Sequence, residues 1–149
     1  MKSLTIFALG VMVICSVCFA EAPDTLWTCS FGCLTGMQDN GRHISPTSDN
    51  GYILAGIYEQ AIMGGACKFM VKKLDSTGYS EWEQIINLDL MNKAHWAEEC
   101  LDGGFIAAGE SGYWTDEDAI VVKFNATGNI EWTSSYSAPG TITIDVAKC

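Results

Sequence analysis

The phrase DNGYILAG at residues 49–56 returns as DGGFIAAG at residues 102–109, and FMVKKLDSTGYSEW, ending at Trp82, returns as AIVVKFNATGNIEW, ending at Trp132. The returns come 53 and 50 residues later. A chain that repeats itself at this spacing folds one supersecondary unit twice, and each unit must bury its apolar face on a neighbour. That requirement bounds the architecture more tightly than any single residue does.

Each unit holds four short segments separated by turn signals. In the second copy the order is AHWAEECL, a turn at Asp102, Gly103 and Gly104, FIAAGES, a polar loop, AIVVKFN, a turn at Ala126, Thr127 and Gly128, and NIEWTSSYS. The first copy runs GRHISPT, a turn at residues 48–51, YILAGIYE, a loop through Gly64 and Gly65, CKFMVKKLD, a turn at residues 76–78, and YSEWEQII. The segments are too short and too rich in aromatic and β-branched residues to be helices. Asp-Gly and Asn-Gly pairs supply the positive φ that tight hairpins demand. Each unit therefore predicts a four-stranded antiparallel meander, and the fold class is all-β. YILAG and FIAAG are apolar without alternation, which fits inner strands covered on both faces by stacked sheets. Small four-stranded sheets stacked face to face are propeller blades; the rival β-solenoid usually has rungs shorter than this unit. The small pair Ala55-Gly56, matched by Ala108-Gly109, predicts close approach of adjacent backbones.

The stretch from Leu26 to Trp82, with its TSDNGYILAG and VKKLDSTGYSEW, resembles the β-propeller repeats of secreted bacterial proteins, whose consensus runs close to TSDGGYIIAG followed by LVKLDSTGNxxW. The likeness covers essentially everything after residue 20. It implies stacked blades in a surface or exported protein, a class of which most members have no assigned activity. One departure is Ala97, where the pattern expects a bulky apolar residue such as Ile44 in the first copy. No sorting domain of the kind such proteins often carry is evident in the sequence. DTLWTCSFG around Trp27 matches the last strand of a blade, and ITIDVAKC at residues 142–149 matches the start of another first strand. The expected organisation is a signal peptide at 1–20, a partial blade and loop at 21–40, blades at 41–90 and 91–138, and the start of a further blade at 139–149. Two blades do not close a ring, and terminal repeats of open arrays need polar caps. The expectation is a truncated copy of a longer propeller.

MKSLTIFALGVMVICSVCFA opens with Lys2, continues as an apolar run and ends in small residues, with Cys18 and Ala20 at minus three and minus one. It reads as a secretory signal cut after Ala20; the run is too short for a retained spanning helix. Ile14 and Val17 precede Cys15 and Cys18 where lipidation needs a small residue. After cleavage 7 Lys plus Arg stand against 18 Asp plus Glu. Such a surface repels nucleic acid and anionic lipid, so the expected partner is a protein or glycan. Membrane insertion is not expected once the signal is cut. The 48% hydrophobic content, with aromatics throughout, fits a folded chain. Of the five remaining cysteines, Cys29, Cys33, Cys67, Cys100 and Cys149, an odd number leaves one unpaired within the chain. Cys29 and Cys33 are placed for a small loop, while most cysteines are read as core residues. Cys100 stands where Thr47 stands in the first copy.

No catalytic, cofactor or metal residues are assigned. The acidic loop Asp116, Glu117, Asp118 lacks the spacing of a calcium loop and reads as solvated charge. His43 and His95 lack a convergent zinc set, the pairing of His95 with Cys100 included, and fall on first strands or their edges. Trp27, Trp82 and Trp132 recur at one position per unit and are read as packing between units. Trp96, Tyr113 and Trp114 do not recur and read either as semi-buried aromatics filling irregular space or as an aromatic surface that stacks on a sugar or peptide. Asn125-Ala126-Thr127 is formally a glycosylation acceptor but reads as turn chemistry. No serine stands in a nucleophile-elbow context and no phosphate loop is present. The expected function is a non-enzymatic exported module, a binding or spacer part of a larger propeller that is secreted or at the cell surface, or periplasmic if no further sorting signal acts. The competing readings are a fragment of a quinoprotein-like propeller enzyme and a fragment that self-associates through exposed strand edges.

Overall fold

A computed structural model describes residues 27–28, 30, 39–59, 67–87, 91–113 and 116–137. The expected signal peptide at 1–20 and the expected further strand at 142–149 lie outside them. Eight strands make up the described chain: β1 (Asn40–Pro46), β2 (Tyr52–Glu59), β3 (Cys67–Leu74), β4 (Ser80–Ile86), β5 (Asn92–Glu99), β6 (Phe105–Tyr113), β7 (Asp116–Phe124) and β8 (Ile130–Tyr136). They form two separate four-stranded antiparallel sheets in the orders β1-β2-β3-β4 and β5-β6-β7-β8. The all-β fold and both meanders are as the repeat predicts. Among the described residues no helix is long and apolar enough to cross a membrane.

Four turns of the same design set the registers. The amides of Thr47, Asp75, Cys100 and Asn125 each donate to the carbonyl four residues on, at 2.8–2.9 Å. The first residue's carbonyl in turn accepts from the amide three residues on, which belongs to Asn50, Gly78, Gly103 or Gly128. That fourth residue has positive φ, between 66° and 86°. This is the type I turn closed by a left-handed residue. A side-chain oxygen organises each turn from within. Asp75 Oδ1 accepts from the amides of Thr77 and Tyr79, and Asn125 Oδ1 accepts from those of Thr127 and Asn129. Asn125 is thus engaged in the turn chemistry its sequence suggests.

The core lies between the sheets. Ile53, Ala55, Phe69 and Val71 of the first sheet meet Ala94, Ala97, Phe105, Ala107, Ile120, Val122 and Phe124 of the second. Pairing of Ala55 with Val71 and of Ile57 with Phe69 places one face of the first sheet inward; pairing of Phe105 with Phe124 and of Ala107 with Val122 does the same for the second. The expected close approach is present at Gly109, whose α-carbon lies against the Phe69 ring and the Lys93 carbonyl with no room for a methyl group.

Three expectations are corrected. The segment ending in FIAAGES extends to Tyr113 and the next begins at Asp116, so Asp116, Glu117 and Asp118 pair within a strand and are not a loop. Trp132 is not core: it is 45% exposed, because no described residue packs over that face of the second sheet as the second sheet packs over Trp82. Cys100 is buried but is not a plain apolar residue, being disulfide-bonded; its partner is not among the described residues. Cys67 is free and half-buried. Cys29, Cys33 and Cys149 lie outside the described residues.

Candidate functional site

Three groupings of side chains stand out, and two of them occur twice. In the first, Lys73 is buried to 3% exposure, yet its Nζ donates to Asp49 Oδ2 and Glu81 Oε2 at 2.7 Å each and to the Leu74 carbonyl at 3.0 Å. Lys123 repeats the arrangement with Asp102 at 2.9 Å, Glu131 at 3.5 Å and the Phe124 carbonyl at 3.2 Å. Burial alone would lower the pKa of Lys73, but hydrogen bonds and the charges of Asp49 and Glu81 outweigh it and the pKa is raised. The Lys73 and Thr47 hydrogen bonds hold Asp49 far below the usual carboxylate range, and Lys123 lowers Asp102. The glutamates reach their lysines because the β3–β4 and β7–β8 ladders each skip one residue. Lys73 pairs with Trp82 and Leu74 with Ser80, leaving Glu81 as the bulge; Glu131 holds the same place between Trp132 and Ile130. A bulge re-aims the side chain it carries.

The second grouping joins one sheet to the next. The Trp82 indole lies on Gly128, where an added Cβ would fall 2.5 Å from Cδ2, and it meets Phe105 edge-on at 5.4 Å and Phe124 at 5.9 Å. Trp27 repeats the contact on Gly78, with Cε3 at 2.6 Å from such a Cβ, and meets Tyr52 edge-on at 5.6 Å. Gly78 and Gly128 have φ of 86° and 81°. Both the backbone conformation and the covering ring therefore require glycine. The expectation that Trp82 packs between units holds; Trp27 packs on the first unit, and the rest of its own segment lies outside the described residues.

The third grouping lies along β5. Lys93 bonds Glu110 and lies 3.3 Å from Glu117, while His95 Nε2 lies 3.3 Å from the other Glu110 oxygen. Burial opposes ionisation of Glu110, but Lys93 overrides it and the pKa is lowered. The pKa of Lys93 is raised by the same partners against its own burial. Nearby, β1 and β5 skip a residue at equivalent places, Arg42 and His95, so that His43 and Trp96 follow a bulge. Their rings stack at 3.8 Å and 20° across the two sheets, and the Ala97 amide donates to His43 Nδ1 at 3.5 Å. This explains the small residue at 97: it is fully buried beneath the first sheet, whereas its counterpart Ile44 is 54% exposed.

The sequence candidates are thereby separated. Trp96 is engaged by His43, with its Nε1 buried and without an acceptor. The Tyr113 side chain and all of Trp114 lie outside the described residues, so of the expected aromatic surface only Trp96 is described. Glu117 faces Lys93 and Asp118 accepts from Ser135 at 3.2 Å. Among the described residues no three His, Cys, Asp or Glu side chains converge as a metal site would require. Burial, then the charge of Glu59, raise the Cys67 thiol above its usual range, Lys93 offsetting only part of this, so Cys67 is not an activated nucleophile. Sequence reasoning missed the Lys–Asp–Glu groups. Their signal was nonetheless inside the repeated phrases, since Asp49, Lys73 and Glu81 recur as Asp102, Lys123 and Glu131. Comparison with protein-family models, with curated proteins and with solved structures returns no match.

Proposed function

We propose that the chain is a non-enzymatic exported repeat module, two propeller-type blades that present a binding face or act as a spacer, with a protein or a glycan as partner. The observation that carries this reading is that the charged side chains best shielded from water are committed to internal pairs, and that two of these groups recur at the same place in both sheets. A group that recurs in every unit serves the unit, because a reaction centre has no reason to be duplicated. The Lys93–Glu110–His95 group occurs once, but Glu110 is fixed as the charged partner of Lys93 and no activated nucleophile adjoins it. Its contacts are those of a cross-strand ion pair.

The test is a glycan and peptide array probed with the purified chain, run beside hydrolase and oxidoreductase substrates with and without a quinone cofactor. Saturable binding of one ligand class without turnover is expected. Turnover that disappears on Glu110→Gln would overturn the reading in favour of an enzyme. Export is tested separately, by expressing the chain in a bacterial host and sequencing the N-terminus of the exported product. A product starting at Glu21 is expected, and a cell-retained chain with Met1 in place would refute export.

A further inference from the structure

The contact between the sheets has two unlike sides. One side carries a protruding indole, Trp82, on the face that also holds Ile53 and Ala55; the other carries the surface it seats on, made by Gly128, Phe105 and Phe124. Both sides exist once more in the molecule, the indole side open and the seat covered by Trp27, with Leu74 1% exposed. Trp132 pairs with Lys123, which pairs with Ile106, so these side chains share the outer face of the second sheet. Ile106, Ala108 and Trp132 occupy the repeat positions of Ile53, Ala55 and Trp82. On the outer face of the first sheet, Tyr52, Leu74 and Gly78 occupy the repeat positions of Phe105, Phe124 and Gly128. Trp132 and Tyr136 stand open on that back face, 45% and 59% exposed.

We propose that these two outer faces are halves of one interface, which a second copy of this chain completes head to tail by seating its Trp132 on Gly78, Tyr52 and Leu74. The interface continues the one already made inside the chain, which is the ground for naming a second copy as the occupant. Trp27 occupies that seat within the same chain. It is therefore a plug that competes with the incoming Trp132. The contact joins unlike faces, so association does not stop at a symmetric dimer but continues to a ring or an open stack. It differs from pairing through strand edges, because no backbone hydrogen bonds cross it. The high negative charge of the chain opposes it, and added salt strengthens it. The proposal rests on the stacking of the two sheets and not on the non-enzymatic reading, so either can fail alone.

The experiment is light scattering on the purified chain over a concentration series, with Trp27→Ala, Trp132→Arg and the double variant. Trp27→Ala is expected to strengthen association at least tenfold, since one buried tryptophan at an interface is commonly worth that much. Trp132→Arg, a change at a half-exposed position, is expected to keep the fold by circular dichroism and to leave a monomer. The double variant remains monomeric alone, yet it forms a one-to-one pair with a chain of wild-type Trp132 that carries Gly78→Ala. Should Gly78→Ala unfold, the first three variants still decide. A monomer for Trp27→Ala at every concentration, or association of Trp27→Ala that is unchanged when Trp132→Arg is added, overturns the proposal. Ligand binding on the arrays that survives Trp132→Arg would leave the binding-module reading standing.

Discussion

Lys73 shows what one residue contributes here. A lysine this deeply buried is tolerated only because two carboxylates and a carbonyl replace its water. Lys73→Met removes the charge but keeps the bulk, and leaves Asp49 and Glu81 facing each other at about half exposure. Water reaches both acids, so the loss is below that of a fully buried pair. We expect about 2 kcal/mol, read from the urea midpoint of unfolding. The same contacts set the acid limb of stability. Asp49, Asp75, Asp102 and Glu110 all have lowered pKa values in the folded chain. Their contribution is therefore complete above the ordinary carboxylate range near pH ~4 and is lost as pH falls through the folded values. The raised lysines, Lys73 and Lys93, act oppositely. What they contribute is complete below about pH 10.4 and lost as pH rises through their folded values. Unfolding midpoints measured across pH should be flat between these limits and fall on both sides; a midpoint that rises below pH ~4 would contradict the assignment. None of this was read from the sequence, although Asp49, Lys73, Asp75, Glu81 and Asp102 stood in the repeated phrases; Lys93 and Glu110 lie outside them. Strict alternation puts Glu81 on the face opposite Trp82, and only the bulge in β4 returns its carboxylate to Lys73.

At the scale of the element, the turn chemistry and the repeat were enough to find all eight strands. The hairpin of β6 and β7 is where alternation misled. Gly112 and the acids after Trp114 carry loop-like composition, yet Gly112 donates its amide to the Met91 carbonyl and Glu117 meets Lys93. Contacts with β5 and the residue before it thus extend a ladder that local composition would have ended. The turns themselves allow a comparison of two glycines with like conformations and unlike surroundings. Gly103 has φ of 78° and open space where a Cβ would go, whereas Gly128 has φ of 81° and the Trp82 ring there. Gly103→Ala should cost about 1 kcal/mol of conformational strain. Gly128→Ala should cost more, about 3 kcal/mol, because the indole must also move. Equal thermal shifts for the two variants would show that Trp82 is not seated as described.

Across the whole molecule, stability depends on two sheets that bury one face in common. Trp82→Ala removes a half-buried indole from Phe105, Phe124 and Gly128 without changing any residue of the second sheet. The expected loss is about 3 kcal/mol, toward the lower end for a large aromatic because the ring is partly exposed. Amide exchange should speed up in β6 and β7 as well as in β4. Protection lost in β4 alone would mean that the sheets fold independently. The stacking was legible in the unbroken apolar runs of YILAG and FIAAG, but the stack of His43 on Trp96 was not, since it depends on bulges that no residue pattern announces. The two kinds of repeated contact divide the chain differently. Each lysine group closes within one unit, whereas each tryptophan reaches into the unit after it. A gene that duplicates or deletes one unit in frame, wherever the cut falls, still encodes complete lysine groups and leaves every internal tryptophan a following glycine. Lineages of such a gene can therefore change length by whole units without first acquiring compensating substitutions.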